Sequence, residues 1–352
     1  MKPSKQRRVS QKDVATVAGI SQPVVSAVLG NSSSMVVARE TAEHVIQVAK
    51  VLGYQRRKPP FQARKKTKNS SLIAVVDSML ARVRDGHVPS ADYESFYRSY
   101  LNTLLHELAL RNCQMALFNP SIGDLRQALL ASGASGVVWR GYFPEDTPLV
   151  RWAAEHFPLV SVDHHPDNEV DLVTMDNEAL IRTAAGHLFD RGHRRIGLFL
   201  ENSPRYDPYW RAFERFAANA QINYQCFPSL PARFPSESID PKQFVDTWAD
   251  LRADFRPTAI IMMDHYALQV MGAAKARGIA LPAQLSVVGI DNIPAGALAE
   301  PRLTSIQQPI EEICRAAINV LEQRMAYPDA GRQLVLISPR LVSRGSVASP
   351  LE

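Results

Sequence analysis

Three aspartates stand directly behind short apolar runs: Asp163 behind Leu159–Val162, Asp264 behind Ile260–Met263 and Asp291 behind Val287–Ile290. Runs of this length and composition read as buried strands, and in parallel sheets a ligand lies beyond the carboxyl ends of the strands. A carboxylate there can accept a pair of hydroxyl hydrogen bonds, which is the chemistry of polyol or sugar recognition. The plainer role for an aspartate at such a junction is to cap the helix that follows. Other chemistry-bearing patterns stop short of a site. His106-Glu107 opens like a zinc-protease helix, but Leu110 stands where the second histidine belongs. His164-His165 has no spaced third ligand. There is neither a glycine-rich phosphate loop nor a serine nucleophile elbow. The expectation is a binding protein, not an enzyme, with no cofactor.

A second set of residues lies near the amino terminus. After Ser10, a plausible cap, Val14, Val17 and Ala18 have helical spacing up to Gly19. Ser21 then caps a short helix carrying Val24, Val25, Val28 and Leu29, which ends at Gly30-Asn31. Helix, glycine turn and second helix form the pattern of a helix-turn-helix, whose second helix enters the major groove of DNA. Short three-helix domains share this spacing, so charge decides. Residues 1–68 hold 14 Lys and Arg against 3 Asp and Glu, a net of +11, while the rest of the chain holds 26 against 32, a net of −6. A basic head of this kind suits a polyanion.

The elements that position these residues follow from the same patterns. A third helix, roughly Arg39 to Leu52, places Val45, Val48, Ala49 and Leu52 on one side and stops at Gly53. The segment 55–68 is proline-broken and holds seven Lys and Arg with no acid, so it reads as an extended basic linker. From Ser71 onward, apolar runs at 72–76, 136–139, 159–162, 195–200, 259–263 and 285–290 alternate with amphipathic helical stretches such as 97–110, 178–191 and 267–277. That alternation means parallel sheets covered by helices, and the length suits two sheets better than one. No apolar run reaches the roughly 20 residues of a membrane helix, and no apolar core of a signal peptide follows the basic start. Cys113, Cys226 and Cys314 are odd in number and scattered, which argues against a disulfide framework. A soluble, cytoplasmic protein is expected.

The run from Asp13 to Leu29, DVATVAGISQPVVSAVL, closely resembles the signature of the lactose-repressor (LacI/GalR) family, as does Ala49–Tyr54 at the end of the third helix. The similarity continues in Asp176-Asn177-Glu178, in Gly192–Ile196, in Leu285–Pro294, in Pro301–Pro309 and in Pro339–Ser346, in the family's order. The resemblance implies an all-α helix-turn-helix DNA-binding head on an α/β periplasmic-binding-protein-like body of two parallel-sheet subdomains. It divides the chain into a head at 1–55, a basic hinge at 56–70 and an effector-binding and dimerisation body at 71–345. Within the body, one subdomain takes about 71–165 and 299–330 and the other about 166–298 and 331–345. The implied partners are double-stranded, pseudo-palindromic operator DNA, a small-molecule effector and a second copy of the chain, with a tetramer as the further possibility.

Residue by residue, the resemblance puts DNA contacts on Ser21, Gln22, Pro23, Ser26 and Ala27 and on the hinge residues Arg56, Arg57, Lys58, Phe61 and Arg64. Gln22 can pair with an adenine edge, whereas Pro23 offers apolar contact and Ala27 replaces the arginine common in the family. Ala63 occupies the position of the family's minor-groove leucine, and Pro59-Pro60 obstructs a hinge helix. Phe61 is then either a substitute wedge or part of a linker that holds DNA through phosphate contacts. Effector contacts fall on Tyr97, Asp163, Arg205, Tyr209, Asp264 and Asp291. Tyr209 stands where the family has a ligand-clamping arginine, with Arg205 as its replacement, and Met263 replaces a common asparagine. A sugar or sugar derivative is the expected effector. A nucleobase or other metabolite is the alternative within the family, and a free-standing sugar receptor is the alternative outside it.

Overall fold

The computed structural model describes residues 9–30, 37–52, 54, 71–80, 91–141, 146–162, 170–201, 206–222, 233–234 and 240–351. The chain divides into two compact units, 1–63 and 64–352. In the first, three helices are described: α1 (Gln11–Ala18), α2 (Gln22–Gly30) and α3 (Arg39–Val51). Ser10 caps α1 reciprocally: its Oγ accepts the Asp13 amide, and Asp13 Oδ2 accepts the Ser10 amide at 2.8 Å. Gly19 closes α1 with φ +66°, a conformation that costs a side chain-bearing residue and allows α2 to start three residues later. Val14, Ala15, Val25, Val45 and Ala49 form the buried centre, flanked by Val28, Leu29, Val48 and Leu52. Helical spacing points to these residues except in α1, where Val17 is 60% exposed and Ala15 takes the inward place instead.

The second unit contains two six-stranded sheets. The first is built from β1 (Leu72–Asp77), β2 (Gln114–Phe118), β3 (Gly136–Arg140), β4 (Leu159–Val162), β5 (Asp171–Met175) and β11 (Leu334–Ile337), in the order β11-β5-β4-β3-β1-β2 and parallel throughout. The second has β6 (Ile196–Glu201), β7 (Arg233–Phe234), β8 (Ala259–Met263), β9 (Ser286–Asp291), β10 (Thr304–Gln307) and β12 (Arg340–Val342), in the order β12-β10-β9-β8-β6-β7. Its pairings are parallel except for antiparallel β12 on β10. The helices between strands are α4 (Ala91–Leu110), α5 (Leu125–Ser132), α6 (Thr147–His156), α7 (Asn177–Phe189), α8 (Asp207–Ala220), α9 (Pro241–Asp250), α10 (Asp264–Ala276), α11 (Pro294–Leu298) and α12 (Ile310–Ala326). None of the described helices is long and apolar enough to cross a membrane.

The chain passes between the sheets three times, at Asp176, at Gln308-Pro309 and at Ser338-Pro339. These points correct the subdomain limits expected from sequence. Strand β5 pairs with β4, so residues 171–175 stay with the first sheet. Strand β10 pairs with β9, so 304–307 belong to the second, and β11 pairs with β5, returning 334–337 to the first. At 334–337 an edge position explains the shift: β11 is half exposed and weakly patterned, so only its ladder partner reveals its side. The first and third crossings touch, where the Asp176 amide donates to the Ile337 carbonyl at 2.9 Å. Helix α12 is fixed to the first sheet by Arg324, which holds both oxygens of Asp171 at 2.7 and 2.8 Å.

Two polar seams tie the second sheet together. At one, the C-terminal segment supplies partners that the strands lack. The Val287 amide donates to the Ser346 carbonyl at 2.8 Å, Ser346 Oγ donates to the Val287 carbonyl at 2.6 Å, and His193 Nε2 donates to the Ala348 carbonyl at 2.8 Å. His193 is therefore a structural histidine. At the other, the first residue of α10, Asp264, is fully buried. Its Oδ1 accepts from Ser305 Oγ at 2.7 Å and its Oδ2 from the Ile293 amide at 2.8 Å. Gly289 leaves room for this carboxylate, because a Cβ there would stand 1.8 Å from Asp264 Oδ1. Gly289→Ala is expected to destabilise the protein by about 1–3 kcal/mol in urea unfolding. Gly272→Ala in α10, where an added Cβ meets nothing within 4 Å, is expected to be neutral or to stabilise by about 0.5–1 kcal/mol.

Candidate nucleic-acid interface and effector site

In the first unit, α2 presents Gln22, Pro23 and Ser26 to solvent, with exposed Ser21 just before it. Together they make a small polar surface at the amino end of a helix, where backbone amides and the helix dipole favour phosphate. Ala27 differs from the expectation. It is 9% exposed, so its methyl offers little to a base edge, and contact from this helix rests on Gln22, Pro23 and Ser26. The hinge residues Arg56, Arg57, Lys58, Phe61 and Arg64 lie outside the described residues.

In the second unit, the carboxyl ends of both sheets gather polar residues. Asp291 ends β9, is 4% exposed, and has φ +109°, followed by Asn292 at +53°. Its Oδ1 accepts from Gln308 Nε2 at 2.5 Å, and Gln308 Oε1 accepts from Tyr100 Oη of α4 at 3.2 Å. The Tyr100 ring lies 4.7 Å from the guanidinium carbon of Arg140, at the end of β3. Arg140 Nη1 donates to Asp77 Oδ2, at the end of β1, at 2.7 Å, with both side chains 1% exposed. A charge this deep survives by being paired and stacked. A single line of contacts thus runs Asp77–Arg140–Tyr100–Gln308–Asp291 from one sheet to the other.

Of the expected effector residues, Asp291 stands in this line. Asp264 is nearby, but its two oxygens face internal donors, which is a structural use of the carboxylate. Burial pushes its carboxyl up to about 7 against the hydrogen bonds that favour ionisation. Tyr209 is 8% exposed on α8, with its ring edge-on to Tyr206 at 5.8 Å. Tyr97 belongs to α4 by its backbone, and its side chain is outside the described residues, as are Asp163 and Arg205. Sequence reasoning missed Asp77, Arg140, Tyr100 and Gln308. The rule that found the other aspartates applies to Asp77 as well, since it ends the run Leu72–Val76. Nothing local marks Gln308 or Tyr100.

Among the described residues, no group of three His, Cys, Asp or Glu side chains could hold a metal. Glu107 is paired with Arg111 at 2.7 Å and Arg315 at 3.3 Å, and these pairs hold its carboxyl below the usual range. A groove of about 550 Å³ between α4 and α12 is lined by Asn102, Glu107, Arg111 and Arg315 among others, and contains none of the strand-end residues.

Comparison with known proteins agrees with this architecture. The periplasmic binding protein-like domain model matches residues 185–347. The HTH-type transcriptional repressor PurR of Mannheimia succiniciproducens is 28% identical over 348 residues, covering 96% of this chain and 98% of that protein. Two solved structures share the fold over 97% of this chain and 100% of theirs, each at 22% identity. They are the transcriptional regulator CelR–cellobiose complex, with a TM-score of 0.64, and the lac repressor dimer bound to operator and the anti-inducer ONPF, with a TM-score of 0.62. With similarity running along nearly the whole chain and a helix-turn-helix unit ahead of a two-sheet body, the chain is similar to HTH-type transcriptional regulators and shares the fold of lactose-repressor structures.

Proposed function

We propose that the protein is a cytoplasmic, homodimeric repressor that binds pseudo-palindromic operator DNA through α2 and its basic hinge. A sugar or sugar derivative held at the strand ends of the body releases or tightens that grip. The observation that carries the effector half is the line from Asp77 to Asp291. It joins the two sheets at the edge where parallel-sheet proteins bind ligands, and it ends on a carboxylate suited to paired hydroxyl groups. The cellobiose complex of the CelR neighbour supports the same class. The Asp77 and Arg140 charges at this end of the first sheet answer each other, so neither is left free for a charged ligand. Asp264 serves this site from behind, while Tyr97, Asp163, Arg205 and Tyr209 remain in the proposal as lining residues. A non-enzymatic role fits the same set of residues.

Exposed apolar side chains support the dimer. Leu105 on α4 is 49% exposed, Leu117 on β2 45% and Leu298 at the end of α11 86%. Burying such groups against a second copy would favour association. Leu105→Asp combined with Leu298→Asp is expected to halve the mass seen in sedimentation while leaving circular dichroism unchanged. An unaltered mass would remove these faces from the interface.

For DNA, a selected operator serves as the reporter. Gln22→Ala should relax preference at one base pair, at a cost of about 1–3 kcal/mol. Arg57→Ala should weaken all sequences alike and flatten the slope of log affinity against log salt by about 0.9. Effector class is tested by thermal shift of the full chain with neutral sugars, sugar acids and nucleobases, followed by gel shift with any hit. Stabilisation by a neutral sugar that changes operator affinity is expected, and a response to nucleobases alone would overturn the sugar reading.

A further inference from the structure

Asp291 and Asn292 both have positive φ, +109° and +53°, where residues other than glycine are strained. Their hold comes from several directions. Ser305 Oγ accepts the Asn292 amide at 3.0 Å and donates to Asp264 Oδ1 at 2.7 Å. Asp264 Oδ2 accepts the Ile293 amide at 2.8 Å. Arg344 Nη2 donates to Asn292 Oδ1 at 2.7 Å, and Gln308 holds the Asp291 side chain. Asp264 thus answers both backbone amides that follow Asp291, one directly and one through Ser305.

We propose that Asp264 is a positioning residue for Asp291: as a carboxylate it fastens the Asn292–Ile293 turn, and on taking up a proton it loosens that turn, making the presentation of Asp291 to an effector depend on pH. The functional part of this inference rests on the reading of Asp291 as an effector residue.

The proton balance gives the sign. A carboxylate only accepts, and both oxygens here meet donors. The neutral acid carries a hydrogen of its own, which Ser305 Oγ can take up only by turning its hydroxyl hydrogen away from Asp264. Burial favours the neutral acid, while Ser305, the Ile293 amide, Arg344 and the Asn292 amide favour the ion, leaving the carboxyl at about 7. The charged or titratable groups around it are Arg344 from the C-terminal segment, Asp291 at the end of β9 and His265, the next residue of α10. Burial pushes His265 down to about 4, so it stays neutral through this range. Strands β8 and β10 and helix α11 carry no charged residue. The turn is therefore fastened above about pH 7 and loosened below it. Folding stability runs the other way. With the folded pKa raised from 3.8 to about 7, this group's contribution is complete below its unfolded value and lost as pH rises to about 7.

Amide NMR of the full chain, titrated from about pH 5.5 to about 8.5 across the folded-state pKa, tests the inference without any ligand. The Asn292 and Ile293 resonances should move together with one midpoint near 7, and the movement should vanish in Asp264→Asn. In Ser305→Ala the midpoint should rise by about half to one pH unit, because a hydrogen bond that favours the carboxylate is gone. Independent titration of the two amides, or joint titration that persists in Asp264→Asn, would overturn it. If the titration is intact but Asp291→Asn leaves the thermal response to sugars unchanged, the positioning role stands and the effector reading falls.

Discussion

Parallel pairing brings the carboxyl end of every strand in a sheet to one edge, and the body of this protein is organised by that constraint. Side chains that end strands meet there whatever their separation in sequence, and no sheet ladder remains to satisfy them. Asp77 and Arg140 solve this with each other, Asp264 with a backbone amide and a serine, and Asp291 with Gln308 from a crossing segment. Removing one member of the Asp77–Arg140 pair would strand a charge at 1% exposure, which generally costs about 3–5 kcal/mol. The polar edge is thus both the place where a ligand can be recognised and the place where the fold is least forgiving.

The three crossings give that edge its mechanical character. They are the covalent connections between the sheets, so relative movement of the halves must be absorbed at Asp176, Gln308-Pro309 and Ser338-Pro339. Gln308 is itself one of these residues, and its side chain joins Asp291 of the second sheet to Tyr100 beside the first. A ligand that competes for Asp291 would therefore act on the crossing directly. This economy puts recognition and movement on the same residue.

Much of this was legible in the sequence, and the boundary of legibility is physical. The head helices, the strands β1, β3, β4, β6, β8 and β9 and the aspartates behind them follow from local period and composition, whereas the interior strands β5 and β10 are short and broken by polar residues and do not. The edge strands β2 and β11 were missed because half their residues face solvent and their apolar runs are short or interrupted. The subdomain limits shifted because ladder partners, not composition, decide which sheet a strand joins. Tyr100 and Gln308 are 208 residues apart, and no local pattern announces such a contact. Asp264 looked like its neighbours in sequence. What separates it is the space beside Gly289, which lets its carboxylate turn inward.

The late position of β11, β12 and the Ser346–Ala348 seam also has a consequence for synthesis. Each sheet takes an edge strand from the last tenth of the chain, and the second sheet takes hydrogen-bond partners from its final residues. Neither sheet can be completed on the ribosome before residues 334–348 have been made, whereas the head's core lies between Val9 and Tyr54. A chain that stops short of these residues would then carry a complete head core beside two sheets that each lack an edge strand.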